Sequence, residues 1–179
     1  TRVRKMHTSR RDAFQSMGLA PLGYVDYPSL EVNLSDEAVR RGTEGIELHD
    51  ALEERCGLIQ FYPGMPPSVL DSYADWKGLV LAGTGLGHVA TDWIPRLRDM
   101  IEDGTVVVMT SQCLHGRVCD RVYETGRDLL AAGVIEGEDM LPEVALVKLM
   151  WVLGNESDPA RAGEVMRANL AGEIQRRSI

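Results

Sequence analysis

Apolar and polar positions change their rhythm near residue 56. Residues 31–55 are mostly polar and charged, with Arg40-Arg41-Gly42 in the middle and Glu53-Glu54-Arg55 at the end, the composition of a connector. Beyond it, short apolar runs alternate with longer stretches of helical periodicity. Residues 58–62 predict a strand stopped by Pro63-Gly64, and Pro66-Pro67-Ser68 opens a helix to about Tyr73. Residues 78–82 are apolar throughout, as strands buried on both faces are, and residues 105–109 predict a third buried strand. Helices are predicted over residues 90–102, where Pro95 marks a kink or the true start, and over 123–132, with Gly133 as the stop. Two more close the chain: a buried helix over 141–153, and one from the Asp158-Pro159 cap to about Ile174. Before the connector, residues 8–17 read as helical or turn-like and residues 21–25 as extended. Strand and helix alternate from residue 57 onward, which predicts an α/β domain built on a small parallel sheet with helices on both faces.

Composition narrows the class. The 179 residues are 44% hydrophobic, enough for a core without disulfides. Three cysteines, Cys56, Cys113 and Cys119, make an odd, sparse set that fits a reducing cytoplasm. No apolar run approaches the roughly 20 residues that span a bilayer, and the first residues lack the layout of a secretory signal. Charge is uneven: Arg2, Arg4, Lys5, Arg10 and Arg11 stand without an acid among residues 1–11, while the rest carries fourteen basic against twenty-seven acidic side chains. So acidic a body does not hold nucleic acid through its general field.

Several stretches could carry chemistry. The turn Gly83-Thr84-Gly85-Leu86-Gly87-His88 follows a predicted strand and precedes a helix, but its glycine spacing departs from the dinucleotide fingerprint and no acid ends the next strand. It belongs at the carboxyl edge of a sheet, where ligands of open α/β folds sit, and a tight turn needing glycine is the plainer reading. Thr110-Ser111-Gln112 ends the third strand at the same edge, where such residues more often serve the turn than a ligand. Cys113, His115 and Cys119 match none of the common zinc spacings, and no metal site is expected. Taken by itself, Lys5 sits in a basic end that reads as flexible.

Together these stretches resemble the asparaginase family. Residues 5–14, Lys-Met-His-Thr-Ser-Arg-Arg-Asp-Ala-Phe, look like the segment that holds the family's catalytic lysine, and Pro21-Leu22-Gly23-Tyr24 follows at the usual distance. Residues 77–88 resemble the second strand and loop of its C-terminal domain. Gly116-Arg117-Val118, residues 122–127 and residues 149–154 look more like the D-subunit branch of archaeal glutamyl-tRNA(Gln) amidotransferases than a plain asparaginase. The resemblance implies residues 1–30 as the end of an N-terminal asparaginase domain, 31–55 as connector and 56–179 as the C-terminal domain. It implies a threonine hydroxyl that attacks a glutamine or asparagine side-chain amide, with Lys5 supporting proton transfer. The Thr-Gly-Gly-Thr and Gly-Thr-Asp-Thr segments that hold the threonines are absent, so the chain by itself is expected to be inactive. It further implies a homodimer and a partner E subunit, with tRNA engaged indirectly through that partner. ATP and magnesium are expected there and no cofactor in this chain. His88 falls at a substrate-contacting position where asparagine is usual. Two alternatives stand beside this one: a type I L-asparaginase without a tRNA-linked partner, and a non-catalytic dimerisation module in which Lys5 is exposed.

Overall fold

The computed structural model describes residues 2–39, 41–43 and 45–177. Two antiparallel hairpins open the chain. Strand β1 (Val3–Lys5) pairs with β2 (Phe14–Ser16), Lys5 opposite Phe14, and β3 (Gly23–Val25) pairs with β4 (Val32–Leu34). Of the two readings of residues 8–17, helical or turn-like, the structure has the turn, and it leads into a strand. Its cause is local: His7 Nδ1 accepts from the Ser9 and Arg10 amides, and Arg10 pairs with Asp12, so side chains take the donors a helix would use. β4 lies within the stretch read as connector.

The body is one parallel sheet in the order β5 (Cys56–Gln60), β6 (Gly78–Gly83), β7 (Val106–Ser111), β8 (Ile135–Glu136). Every residue of β6 is buried, as its unbroken apolar run requires. Successive side chains enter two separate cores. Leu79, Leu81, Val107 and Met109 pack with Leu97 and Met100 of α1 (Ile94–Glu102) and Leu129 of α2 (Glu124–Ala131). Val80, Val106 and Val108 pack with Ala145, Leu149 and Val152 of α3 (Pro142–Asn155) and Ala162 and Met166 of α4 (Pro159–Arg167). The two-residue period of a strand therefore puts helices on both faces.

Boundaries moved where backbone chemistry intervened. Pro67–Tyr73 winds as a 3-10 helix, and a 3-10 turn over Thr91–Trp93 precedes α1, so Pro95 marks the start of that helix rather than a kink. β8 has no counterpart among the predicted strands: two residues between Gly133 and Gly137 leave no readable periodicity. α4 ends at Arg167, short of Ile174. The Lys148 ammonium takes the Met166 and Ala168 carbonyls, while the Glu173 carboxylate takes the Leu170 and Ala171 amides, so the groups that would extend the helix bond elsewhere.

The first hairpin is tied down by one buried residue. Arg2 donates to the carbonyls of Met17 and Glu173, both at 2.9 Å, and stands 3.2 Å from the Asp139 carboxylate.

Candidate functional site

The carboxyl ends of β6 and β7 are closed by their own polar residues. The glycine turn is pinned by a bridge between Thr84 and His88, whose backbones bond in both directions at 2.9 and 3.0 Å. Gly87 stands at φ +103°, and a Cβ there would meet the Val118 side chain at 2.8 Å, so the turn requires glycine. Ser111 donates to the Gly85 carbonyl, and the Gln112 amide to the Phe61 and Ala82 carbonyls. Both side chains lock neighbouring strand ends together, which is the turn chemistry expected of them.

His88 has a different character. The segment after β7 folds back over the turn, Cys119 N–H bonding to the Leu86 carbonyl and Val118 N–H to that of Glu138. This brings Asp120, fully buried, to 4.0 Å from His88 Nδ1, beyond hydrogen-bonding reach. Neither imidazole nitrogen and neither Asp120 oxygen has a hydrogen-bond partner, although all four atoms are buried. The Tyr123 ring lies against the imidazole at 5.3 Å and 76°. Burial, with the Glu136 charge adding to it, pushes the Asp120 carboxyl up to about 7. Sequence reasoning misses Asp120 and Tyr123, because a lone aspartate in a loop carries no pattern.

That shift has a consequence for stability. A carboxyl whose folded pKa exceeds its unfolded value, about 3.9, contributes fully below that value and loses the contribution as pH rises through the folded pKa. Taken on this carboxyl alone, the chain is therefore expected to lose stability between about pH 4 and 7, and any proton shared with the neighbouring imidazole flattens that decline. Urea melts at intervals across that range should show the decline in the wild type and its disappearance in Asp120→Leu.

Lys5 is elsewhere. It ends β1, exposed, its ammonium 5.7 Å from the Phe14 ring, beside a shallow depression lined by Lys5, Met6, His7 and Thr8. None of these belongs to the loops around His88, so the two residues singled out in the sequence are not brought together within this chain. An exposed Lys5 is what the non-catalytic alternative expects of the chain taken alone. Its setting is unusual, however: of the twenty large apolar side chains left exposed among the described residues, fourteen lie between Val3 and Leu52. Exposed apolar side chains mark interaction surfaces where they are contiguous. No group of three or more metal-ligating side chains forms among the described residues; Cys113 is exposed and Cys119 half-buried. Cys56 is buried, which with the Glu53 charge pushes its thiol up to about 11, so it is inert. Among the described residues no helix is long and apolar enough to cross a membrane.

Comparison with known proteins agrees with this architecture. Residues 55–166 match the Glutaminase/Asparaginase C-terminal domain. The chain is 58% identical over 176 residues to the D subunit of the glutamyl-tRNA(Gln) amidotransferase of Archaeoglobus fulgidus, covering 97% of this chain and 42% of that protein. It is 55% identical over 176 residues to the corresponding D subunit of Methanosarcina mazei, covering 97% and 41%. Among solved structures, the thermostable L-asparaginase from Thermococcus kodakarensis superposes with a TM-score of 0.87 at 35% identity, over 99% of this chain and 54% of that one. The chain thus spans about two fifths of the length of the curated relatives it matches. Sheet order, the turn at its carboxyl edge and these matches together place the chain in the glutaminase/asparaginase family, through that family's C-terminal domain.

Proposed function

We propose that the chain is part of the ammonia-releasing subunit of an amidotransferase that converts Glu-tRNA(Gln) to Gln-tRNA(Gln) in the cytoplasm. The observation that carries this reading is the identity of 58% over 176 residues to an archaeal D subunit, against 35% to the asparaginase. In this reading a threonine outside the chain attacks the side-chain amide carbon of glutamine. The C–N bond breaks, ammonia leaves with a proton, and water hydrolyses the acyl-enzyme to glutamate. Lys5 holds or moves a proton at the attacking hydroxyl, and His88 contacts substrate from a neighbouring copy in a homodimer. Ammonia passes to an E subunit, where ATP and magnesium serve activation of the tRNA-bound glutamate, and tRNA is engaged through that subunit.

The exposed apolar residues between Val3 and Leu52 support this reading, since they supply a face for the part of the enzyme that carries the threonines. The purified chain is expected to release no ammonia from glutamine or asparagine, and the same chain fused to the upstream part of a D subunit to release it. Turnover by the chain alone, or a folded fusion without turnover, overturns the proposal. The superposition on an L-asparaginase favours a second reading, in which asparagine is the substrate and no E subunit is needed. Assaying the fusion with both amides, and for copurifying E subunit, separates the two.

A further inference from the structure

Four buried polar atoms without partners, gathered in one place, are not a packing solution. Each costs about 1–3 kcal/mol when left unsatisfied. Yet they come from two complementary side chains, a carboxyl and an imidazole, whose nearest atoms are 4.0 Å apart. A modest side-chain rotation closes that gap and satisfies one atom of each. The other imidazole nitrogen, Nε2, is then left without a protein partner but buried, so a ligand meets it only when the exposed Tyr123 side chain, which lies against the ring, moves aside.

We propose that Asp120 is a positioning residue for His88: a proton held between Asp120 Oδ1 and His88 Nδ1 makes Nε2–H a hydrogen-bond donor to a ligand carboxylate, and loss of that proton turns Nε2 into an acceptor that rejects it. The proton balance is simple. With one proton between the two side chains, Nε2 carries its own hydrogen whichever atom the shared proton rides on. When the pair releases a proton, the imidazole keeps its remaining hydrogen on Nδ1, facing the carboxylate, and Nε2 is left with a lone pair. The ligand class follows: a carboxylate such as that of a free amino acid, bound when the pair is protonated. Burial and the Glu136 charge, which raise the Asp120 carboxyl to about 7, favour a proton kept between the two side chains.

The charged groups facing the pair favour retention of the shared proton. Glu136 of β8 accepts from the Asp120 amide at 3.0 Å, and its negative charge opposes a second one on Asp120. Arg121 pairs at 3.2 Å with Glu136 and is largely exposed, and Arg127 donates to the carbonyls of Arg121 and Val122. Tyr123 adds its phenol on the solvent side.

This inference deepens the proposed role of His88 and rests on it for the identity of the ligand as substrate, but it is tested without catalysis. Long-range nitrogen–proton NMR correlation on the histidine-labelled chain reads which ring nitrogen carries hydrogen, with exposed His49 and His115 as internal references. Expected in the wild type is a protonated Nε2 at pH 6 and a bare Nε2 with protonated Nδ1 at pH 8.5. In Asp120→Leu, which keeps the site apolar and filled, His88 should match the exposed histidines at pH 8.5. L-glutamate as probe should shift the Nε2 signal at pH 6, with at least tenfold weaker binding at pH 8.5 and in the leucine variant. A His88 with the same tautomer as the references in both proteins, or glutamate binding indifferent to pH and to Asp120, overturns the proposal. Should Asp120→Leu fail to fold, Asp120→Ala gives the same readout, since it too removes every hydrogen-bonding atom of that side chain. If the relay is found but a fusion carrying the threonine segments hydrolyses no amide, the amidase reading fails and the relay stands.

Discussion

In a polypeptide that supplies the threonine segments, Lys5→Ala lowers kcat for amide hydrolysis by about two to four orders of magnitude, the range expected when a positioned proton-transfer group is removed. KM should stay within a few-fold, because the lysine is proposed to act on the attacking hydroxyl rather than on bound substrate. Loss through unfolding is not expected. Lys5 is exposed at the end of a three-residue strand, and its ammonium meets the ring of Phe14, also exposed. A lysine moves protons near neutrality when burial or a neighbouring charge alters it, and both would come from the body that covers the apolar face between Val3 and Leu52. Steady-state kinetics of the wild type and Lys5→Ala fusions, with circular dichroism to verify folding, check this. Activity within threefold of wild type would instead favour the non-catalytic module.

Glu173→Ala is expected to destabilise the fold by about 3–5 kcal/mol, the usual cost of leaving one member of a buried ion pair alone. For a chain of this size that lowers Tm by roughly 6–20 °C. The Lys148 ammonium is buried on α3 against the C-terminal segment. It lies 2.6 Å from the Glu173 carboxylate and donates as well to the carbonyls of Met166 and Ala168. Removing the carboxylate strands that charge and frees the Leu170 and Ala171 amides together. It also loosens the stretch whose Glu173 carbonyl receives Arg2, so the first hairpin loses an anchor. Lys148→Met with Glu173→Leu, by contrast, should recover part of the loss, because no charge is stranded although the Leu170 and Ala171 amides still lose the carboxylate. Burial opposes ionisation of Glu173, but the Lys148 hydrogen bond and the backbone amides overcome it and hold the carboxyl down to about 2. A depressed carboxyl contributes stability above its unfolded value, about 4.3, and loses it as pH falls through the folded one. This pair should therefore weaken between about pH 4 and 2, the opposite direction and a lower window than Asp120. Thermal melts of the single and double variants at pH 7 and pH 3 separate the two effects.

The alternation of apolar runs with helical periods was sufficient to read the parallel sheet and helices on both its faces. The reason is that burial on both faces leaves strands such as Gly78–Gly83 unbroken by polar residues. The motif stretches were likewise legible, and the family they resemble is the one the comparisons returned. Local signals failed where the competing partner was remote or the element very short: the end of α4, and the strands β2 and β8. The pairing of isolated polar residues was decided by the tertiary structure alone. Arg2 with Asp139, Lys148 with Glu173 and His88 with Asp120 lie on separate segments and carry no period. Each pair meets because chain crossovers return to the same sheet edge or helix end, and a solitary charge in a sequence looks the same whether it faces water or a buried partner.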